Sequence, residues 1–366
     1  MQHPDVVSLL NDDDNTIETS TFTLTSNYSN WTVDQVLRKL LPFPEVPSSF
    51  EIVGPIAHVN LKDEWLPFSL IIGKVFLDKN QPRIQTVVNK TGSIDTQYRT
   101  FGMEIIASAS TTPKEDWSIV TMKEEGCQFT LDFQKVYWNS RLSGEHARLV
   151  QLIRKDAAAG TKKKVVVADI MAGVGPFAVP LTAAKFKKHG IVVHANDLNP
   201  SSYHYLKVNM VNNKCSQLTP YQMDGRAFVH YLQDEATKID FHHAIMNLPA
   251  TAPEFLNAFR GYTNPTLPQI HVHCFGGKDV EKGPAEVIAR CSKALGCDLT
   301  IGDGAAKVHL VRNVAPKKNM YCVSFVLPEA ARLLPRIVIE EPPPIAAPDD
   351  CEEVTPPDAK KARIDE

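Results

Sequence analysis

VVVADIMAGVGPF, residues 165–177, decides the fold of this 366-residue chain. Val165 to Ile170 is an unbroken apolar run, rich in β-branched residues, which suits a strand buried on both faces of a parallel sheet. It ends in Ala172-Gly173-Val174-Gly175-Pro176, where glycine lets the backbone come close to a ligand. A helix predicted over Pro176 to Lys187 follows, and its N-terminus turns free N–H groups toward a carboxylate or phosphate. Strand, glycine turn and helix in that order open a βαβ unit.

The same punctuation repeats downstream. Ile191 to Asn196 reads as a second strand, Ser201 to Asn212 as a helix, Tyr221 to Met223 as a third strand and His243 to Met246 as a fourth. Pro253 to Phe259, His271 to Phe275 and Val280 to Leu295 continue the pattern, and Val308 to Val314 with Met320 to Val326 closes it as an antiparallel pair. The fold class is therefore α/β, a doubly wound parallel sheet over residues 134–335. Upstream, short apolar runs (50–53, 57–61, 69–76, 103–107, 127–133) alternate with turn residues and predict a small α+β domain over 29–133.

Composition bounds the rest. With 43% hydrophobic and 22% charged residues the chain is globular, neither collagen-like nor wholly disordered. Its most apolar window, Val165 to Ala184, carries Asp169, Gly173, Gly175, Pro176 and Pro180 and is no membrane helix. The seven cysteines include no C-x-x-C pair, so no metal site is expected and a reducing, intracellular compartment fits. Residues 1–28 form an acidic segment expected to be disordered. The first 18 residues hold five acids and no Lys or Arg, the reverse of a mitochondrial presequence. The 336–366 segment is expected to be a disordered tail, with six prolines and nine acids between Glu340 and Glu366. Setting both acidic ends aside turns the formal net charge from −3 to +8 over residues 19–339, which permits a polyanionic partner such as nucleic acid.

Each strand end carries a polar group. Gly173, Gly175 and Ala178 match G-x-G-x-x-A, a dinucleotide fingerprint. Asp197, in Asn196-Asp197-Leu198-Asn199-Pro200, stands 22 residues after Gly175, where an acid takes the two hydroxyls of an adenosine ribose. That pairing suits NAD and S-adenosylmethionine (SAM) alike; the bland alternative for Asp197, a helix N-cap, is a task Asn199 can perform. In Met223-Asp224-Gly225-Arg226 the acid can accept an adenine amino group while the Gly225 N–H meets a ring nitrogen. Asn247-Leu248-Pro249 ends the fourth strand and is similar to the N/D-P-P motif of nucleic-acid N-methyltransferases, which favours SAM over NAD.

Ahead of the sheet, Lys135 to His146 (KVYWNSRLSGEH) combines aromatics, a guanidinium and a carboxylate before a helix. Its bland reading is Ser143 as N-cap, with Tyr137 and Trp138 as interdomain core. Arg99, in Tyr98-Arg99-Thr100-Phe101, reads from spacing alone as a surface strand residue.

Taken in order, Tyr98–Ile106, Val136–His146, Asp169–Pro180, Asn196–Pro200, Asn247–Pro249 and Val311–Pro316 followed by Met320–Pro328 closely resemble the eukaryotic and archaeal tRNA guanosine-37 N1-methyltransferases. The resemblance implies a class I Rossmann-type methyltransferase domain preceded by a small α+β domain. It implies SAM as cofactor, and tRNA as partner, methylated at N1 of G37 beside the anticodon. In eukaryotes that is the first step toward wybutosine on phenylalanine tRNA. By the same resemblance Glu145 is the general base, Arg99 stabilises charge on O6 and Asn247 orients the base. Glu145 would then need a pKa lifted toward neutrality. His146, Asp197, Leu198, Asp224, Gly225 and Asn247 would hold SAM, with Asp169, Gly173 and Gly175 in the turn beneath its methionine end. Tyr137 or Trp138 would stack on the anticodon loop. The chain is expected to be a monomer with no membrane partner, in cytoplasm and nucleus; relatives also enter mitochondria. Two departures are visible: Asn-Leu-Pro in place of Asn-Pro-Pro, and about 28 residues where relatives carry a further domain on the outer corner of the tRNA. The runner-up readings are a methyltransferase for another RNA nitrogen and an NAD-dependent oxidoreductase.

Overall fold

A computed structural model describes residues 23, 25–92, 98, 100–109, 116–160, 164–279, 281–302 and 306–338. Nearly all of the two predicted tails, and Arg99, lie outside these residues. The small domain begins with helix α1 (Val33–Leu40), whose N-terminus is closed by a reciprocal capping box between Thr32 and Gln35. Strands β1 (Glu51–Val53) and β2 (Ile56–Val59), helix α2 (Ser69–Asn80), and strands β3 (Thr86–Thr91) and β4 (Gly102–Ser108) follow. They form a four-stranded sheet in the order β1-β2-β3-β4, with only the β2/β3 pair parallel because α2 crosses between them. Ile72, Phe76, Ile84 and Val87 fill its core.

A hairpin of β5 (Ile119–Glu124) and β6 (Cys127–Asp132) turns at Glu125-Gly126, both at positive φ, the backbone that a two-residue hairpin turn demands. The pattern of apolar runs places this hairpin in the small domain, yet Val120, Phe129 and Leu131 pack in one cluster with Val167, Val179 and Leu206 of the second domain.

The second domain holds α3 (Ser143–Ala158), β7 (Val165–Asp169), α4 (Ala178–Thr182), β8 (Ile191–Asn196), α5 (Pro200–Asn212), β9 (Leu218–Tyr221), α6 (Gly225–Leu232) and β10 (His243–Met246). It continues through β11 (Gln269–Gly276), α7 (Lys282–Leu295), β12 (Lys307–Ala315) and β13 (Lys318–Val326). The seven strands lie in the order β12-β13-β11-β10-β7-β8-β9. Only β13 runs against its neighbours. The chain leaves β7 toward β8 and β9 and returns to add β10 on the other side, so the sheet has a topological switch point between β7 and β10. Ligands of open α/β sheets bind outside the carboxyl ends of the strands at such a point.

Two predicted elements differ. The helix expected over 176–187 is α4 alone, because Ala183 turns extended (ψ 141°) and the chain continues as a 3-10 segment over Ala184–His189. The third strand ends at Tyr221 rather than Met223. Asp224 beyond it caps α6, accepting hydrogen bonds from Arg226 N (2.8 Å) and Ala227 N (3.3 Å) through Oδ1. Among the described residues no helix is long and apolar enough to cross a membrane.

Candidate active site

The carboxyl ends of β7, β8, β9 and β10 surround a cavity of about 370 Å³. Its floor is the turn after β7. Gly173 (φ +55°) and Gly175 (φ +94°) occupy left-handed backbone, which glycine adopts without strain. A Cβ on Gly173 would meet nothing within 4 Å, whereas one on Gly175 would come within 2.8 Å of Leu206 and Val179. Gly173 therefore faces the cavity, and Gly175 lets the turn close onto α5; it is absent from the cavity wall.

The turn is held from the neighbouring strand. Asp197 accepts the Gly173 N–H through Oδ2 at 2.8 Å and the Asn199 N–H through Oδ1 at 2.9 Å. Burial pushes its pKa up, and those two hydrogen bonds oppose the rise. Asn199, not Asp197, caps α5, accepting from Ser201 N at 2.9 Å. Asn196 is a residue that sequence reasoning quoted but gave no task. Buried at 1% exposure, it donates to the carbonyls of Ile170 and Met223 and accepts from Met223 N at 2.9 Å, tying three strand ends together. An asparagine ending a largely apolar strand was the available signal.

Leu198, Asp224, Gly225, His146 and Asn247 all line the cavity. The Asn247 carboxamide is the most informative: its Oδ1 is buried with no hydrogen-bond partner among the described residues. A buried acceptor left bare costs about 1–3 kcal/mol unless something donates to it, so it points to a ligand. Asp169 departs from expectation. It is completely buried, off the cavity wall, with neither carboxylate oxygen hydrogen-bonded. Burial first, and the nearby Asp197 second, push its pKa up to about 8.

Glu145 also departs. Its side chain is 3% exposed and does not reach the cavity wall. Arg148, one turn along α3, grips both oxygens (Nε–Oε2 2.6 Å, Nη2–Oε1 2.7 Å), and His273 from β11 donates to Oε1 at 2.7 Å. Burial alone would raise its pKa; the hydrogen bonds from Arg148 and His273 outweigh that and hold it at about 2. The lifted pKa expected of a base is thus absent, because the carboxylate is paired as well as buried. Trp138 is buried against Phe129 and His146 and is no free stacking platform, whereas Tyr137 is 41% exposed at the cavity mouth beside Tyr98. Nor does Ser143 cap α3: it is already helical, and Asn139 caps the short turn before it. Lys135 and Arg141 pair with Asp132 and Glu51.

Residues 120–300 match the TRM5/TYW2 methyltransferase domain, and residues 33–111 match the TYW2 N-terminal domain. The chain is 54% identical over 323 residues to the tRNA (guanine(37)-N(1))-methyltransferase 1 of Phaeodactylum tricornutum, covering 88% of this chain and 72% of that one. It belongs to the tRNA (guanine(37)-N(1))-methyltransferase family. The family member of Schizosaccharomyces pombe is 41% identical, over 86% of this chain and 77% of its own. Among solved structures, Trm5b from Pyrococcus abyssi superposes with a TM-score of 0.60 at 25% identity, over 85% of this chain and 84% of that one.

Proposed function

We infer that this chain transfers a methyl group from SAM to N1 of guanosine-37 in tRNA. The observation that carries the reading is the cavity at the switch point, with the bare Asn247 Oδ1 in its wall, in a chain of this family. SAM supplies an electrophilic methyl on a sulfonium cation. The residues present fit that group. Asp197 and Asp224 line the cavity as acceptors for hydroxyl and amino groups, the Gly173 turn leaves open space, and none of the described lining residues is Lys or Arg. An NAD pyrophosphate would instead place two negative charges among these carboxylates, which disfavours the oxidoreductase reading.

Asn247 orients the guanine edge, its Oδ1 accepting a donor from the base and its backbone held rigid by Pro249. Gly225, Ile170 and Phe255 line the cavity together and offer the adenine ring an apolar wall. Tyr137 is the aromatic face offered to the anticodon loop. Glu145 is the acceptor for the N1 proton: it is ionised, as a base must be, but it is screened, so the guanine must draw it away from Arg148 or reach it through a relay. Arg99 stabilises the O6 charge. Base assistance of this kind is worth about 10²- to 10⁴-fold. The chain acts as a monomer. The described cysteines are free thiols, which fits a reducing compartment.

Transfer of labelled methyl to unmodified phenylalanine tRNA transcripts with G or A at position 37, followed by nucleoside analysis, tests the reading. N1-methylguanosine from the first transcript alone is expected. Product from the adenosine transcript would favour another RNA nitrogen as the target, and no product from either would overturn the assignment.

A further inference from the structure

The sheet register sets an unusual row of side chains beside α3. In the β11/β13 pairing His273 stands opposite Cys322, and in the β12/β13 pairing Cys322 stands opposite His309. Residues directly opposite in neighbouring strands project to the same face, their Cβ atoms about 4.5–5.5 Å apart. A His-Cys-His row therefore crosses three adjacent strands, and Glu145 of α3 comes down on it. The ligand atoms of Glu145, His273 and Cys322 lie within 4.8 Å of one another, and all three residues are buried. His309 Nε2 is 3.8 Å from Glu145 Oε2, and its side chain, 48% exposed, connects the group to solvent.

We propose that Glu145, His273 and Cys322, completed by His309, form a binding site for a borderline-soft divalent cation of the zinc class. Two imidazoles, a thiolate and a carboxylate are a four-ligand set that Zn²⁺ takes tetrahedrally at about 2.0–2.3 Å, and thiolate with imidazole excludes Mg²⁺ and Ca²⁺. The ion takes the place of the proton that His273 shares with Oε1. Arg148, whose side chain is 28% exposed, has solvent into which to withdraw. The Cys322 thiol loses its proton to bulk water on binding. The site itself does not depend on any catalytic role. Its consequence does: if Glu145 is the base, a chain holding the ion is inactive, and chelation restores it.

The full chain, loaded with Zn²⁺ and dialysed against metal-free buffer, should retain about one ion, as a closed four-ligand site does. Cys322→Ser should lower retention about 10-fold or more, and His309→Gln, at a half-exposed position where folding is not at stake, should weaken it measurably. Co²⁺ in place of Zn²⁺ should give a thiolate-to-metal charge-transfer band that Cys322→Ser abolishes. No retained zinc, equal retention in both variants, or cobalt bound without that band would overturn the site. Zinc retained with full methyl transfer would leave the site standing and remove Glu145 as base.

Discussion

Glu145 and His273 are 128 residues apart in the chain and 2.7 Å apart in the fold, joined by a hydrogen bond between helix α3 and strand β11. With Arg148 on the other side, this pairing keeps Glu145 ionised at any physiological pH while hiding it from the cavity. Replacing it by glutamine keeps the shape and removes the acceptor. Glu145→Gln should lower the single-turnover methyl-transfer rate by about 10²- to 10⁴-fold with unchanged SAM affinity. A near-normal rate would remove Glu145 from the chemistry.

The same pairing predicts acid sensitivity. The folded pKa of Glu145, about 2, lies below its ordinary 4.5, so its contribution to stability is complete above pH 4.5 and is lost as pH falls toward 2. His273, raised to about 10 by Cys322 and Glu145 against its burial, keeps its charge throughout that window. Denaturant unfolding should show wild type more stable than Glu145→Gln by on the order of 3 kcal/mol at pH 6, the gap narrowing below pH 4.5. A gap that stays constant to pH 3 would contradict the pairing.

Asp169 predicts the opposite slope. Its folded pKa, about 8, lies above the ordinary 3.8, so the unfolded chain ionises first and stability falls as pH rises from 4 to 8. Asp169→Asn removes that penalty. Thermal unfolding followed across this range should show the variant gaining on wild type as pH increases, and parallel curves would mean that Asp169 is already charged at low pH.

The two glycines of the turn should separate stability from binding. Gly175→Ala meets Leu206 and Val179 at 2.8 Å in addition to an unfavourable φ, and should cost about 1–3 kcal/mol from the overlap alone. Gly173→Ala should cost only the left-handed backbone penalty of about 1–2 kcal/mol, less than Gly175→Ala, which adds the overlap to a penalty of the same kind, yet weaken SAM binding by placing a methyl in the cavity. Calorimetric titration alongside denaturant melts distinguishes them; equal melts for the two would refute the difference in packing.

Asp197→Ala should weaken SAM binding by about 10- to 100-fold, the equivalent of losing charged hydrogen bonds of about 1.5–3 kcal/mol. Because Asp197 also holds the Gly173 N–H, part of that loss comes from the turn, and Asp197→Asn, which can keep one acceptor, should recover some affinity. Unchanged affinity in Asp197→Ala would contradict the assignment.

The parts whose physics is local could be read from the order of residues. A β-branched run followed by Gly173-Val174-Gly175 favours a buried strand and a turn, and acids or amides just past the strand ends fall at the open edge of a parallel sheet, so Asp197, Asp224 and Asn247 were legible. Helix and strand ends were less so, because Asp224 could cap α6 or end a strand and only packing chose. What the tertiary structure alone decided is which polar groups are spent on one another. Asp169 is sealed beneath the turn, Trp138 is buried between hairpin and helix, and Glu145 is locked by His273. The row of His273, Cys322 and His309 exists only through strand register. Burial and pairing set the charge of a group, and both depend on neighbours that the chain brings together only by folding.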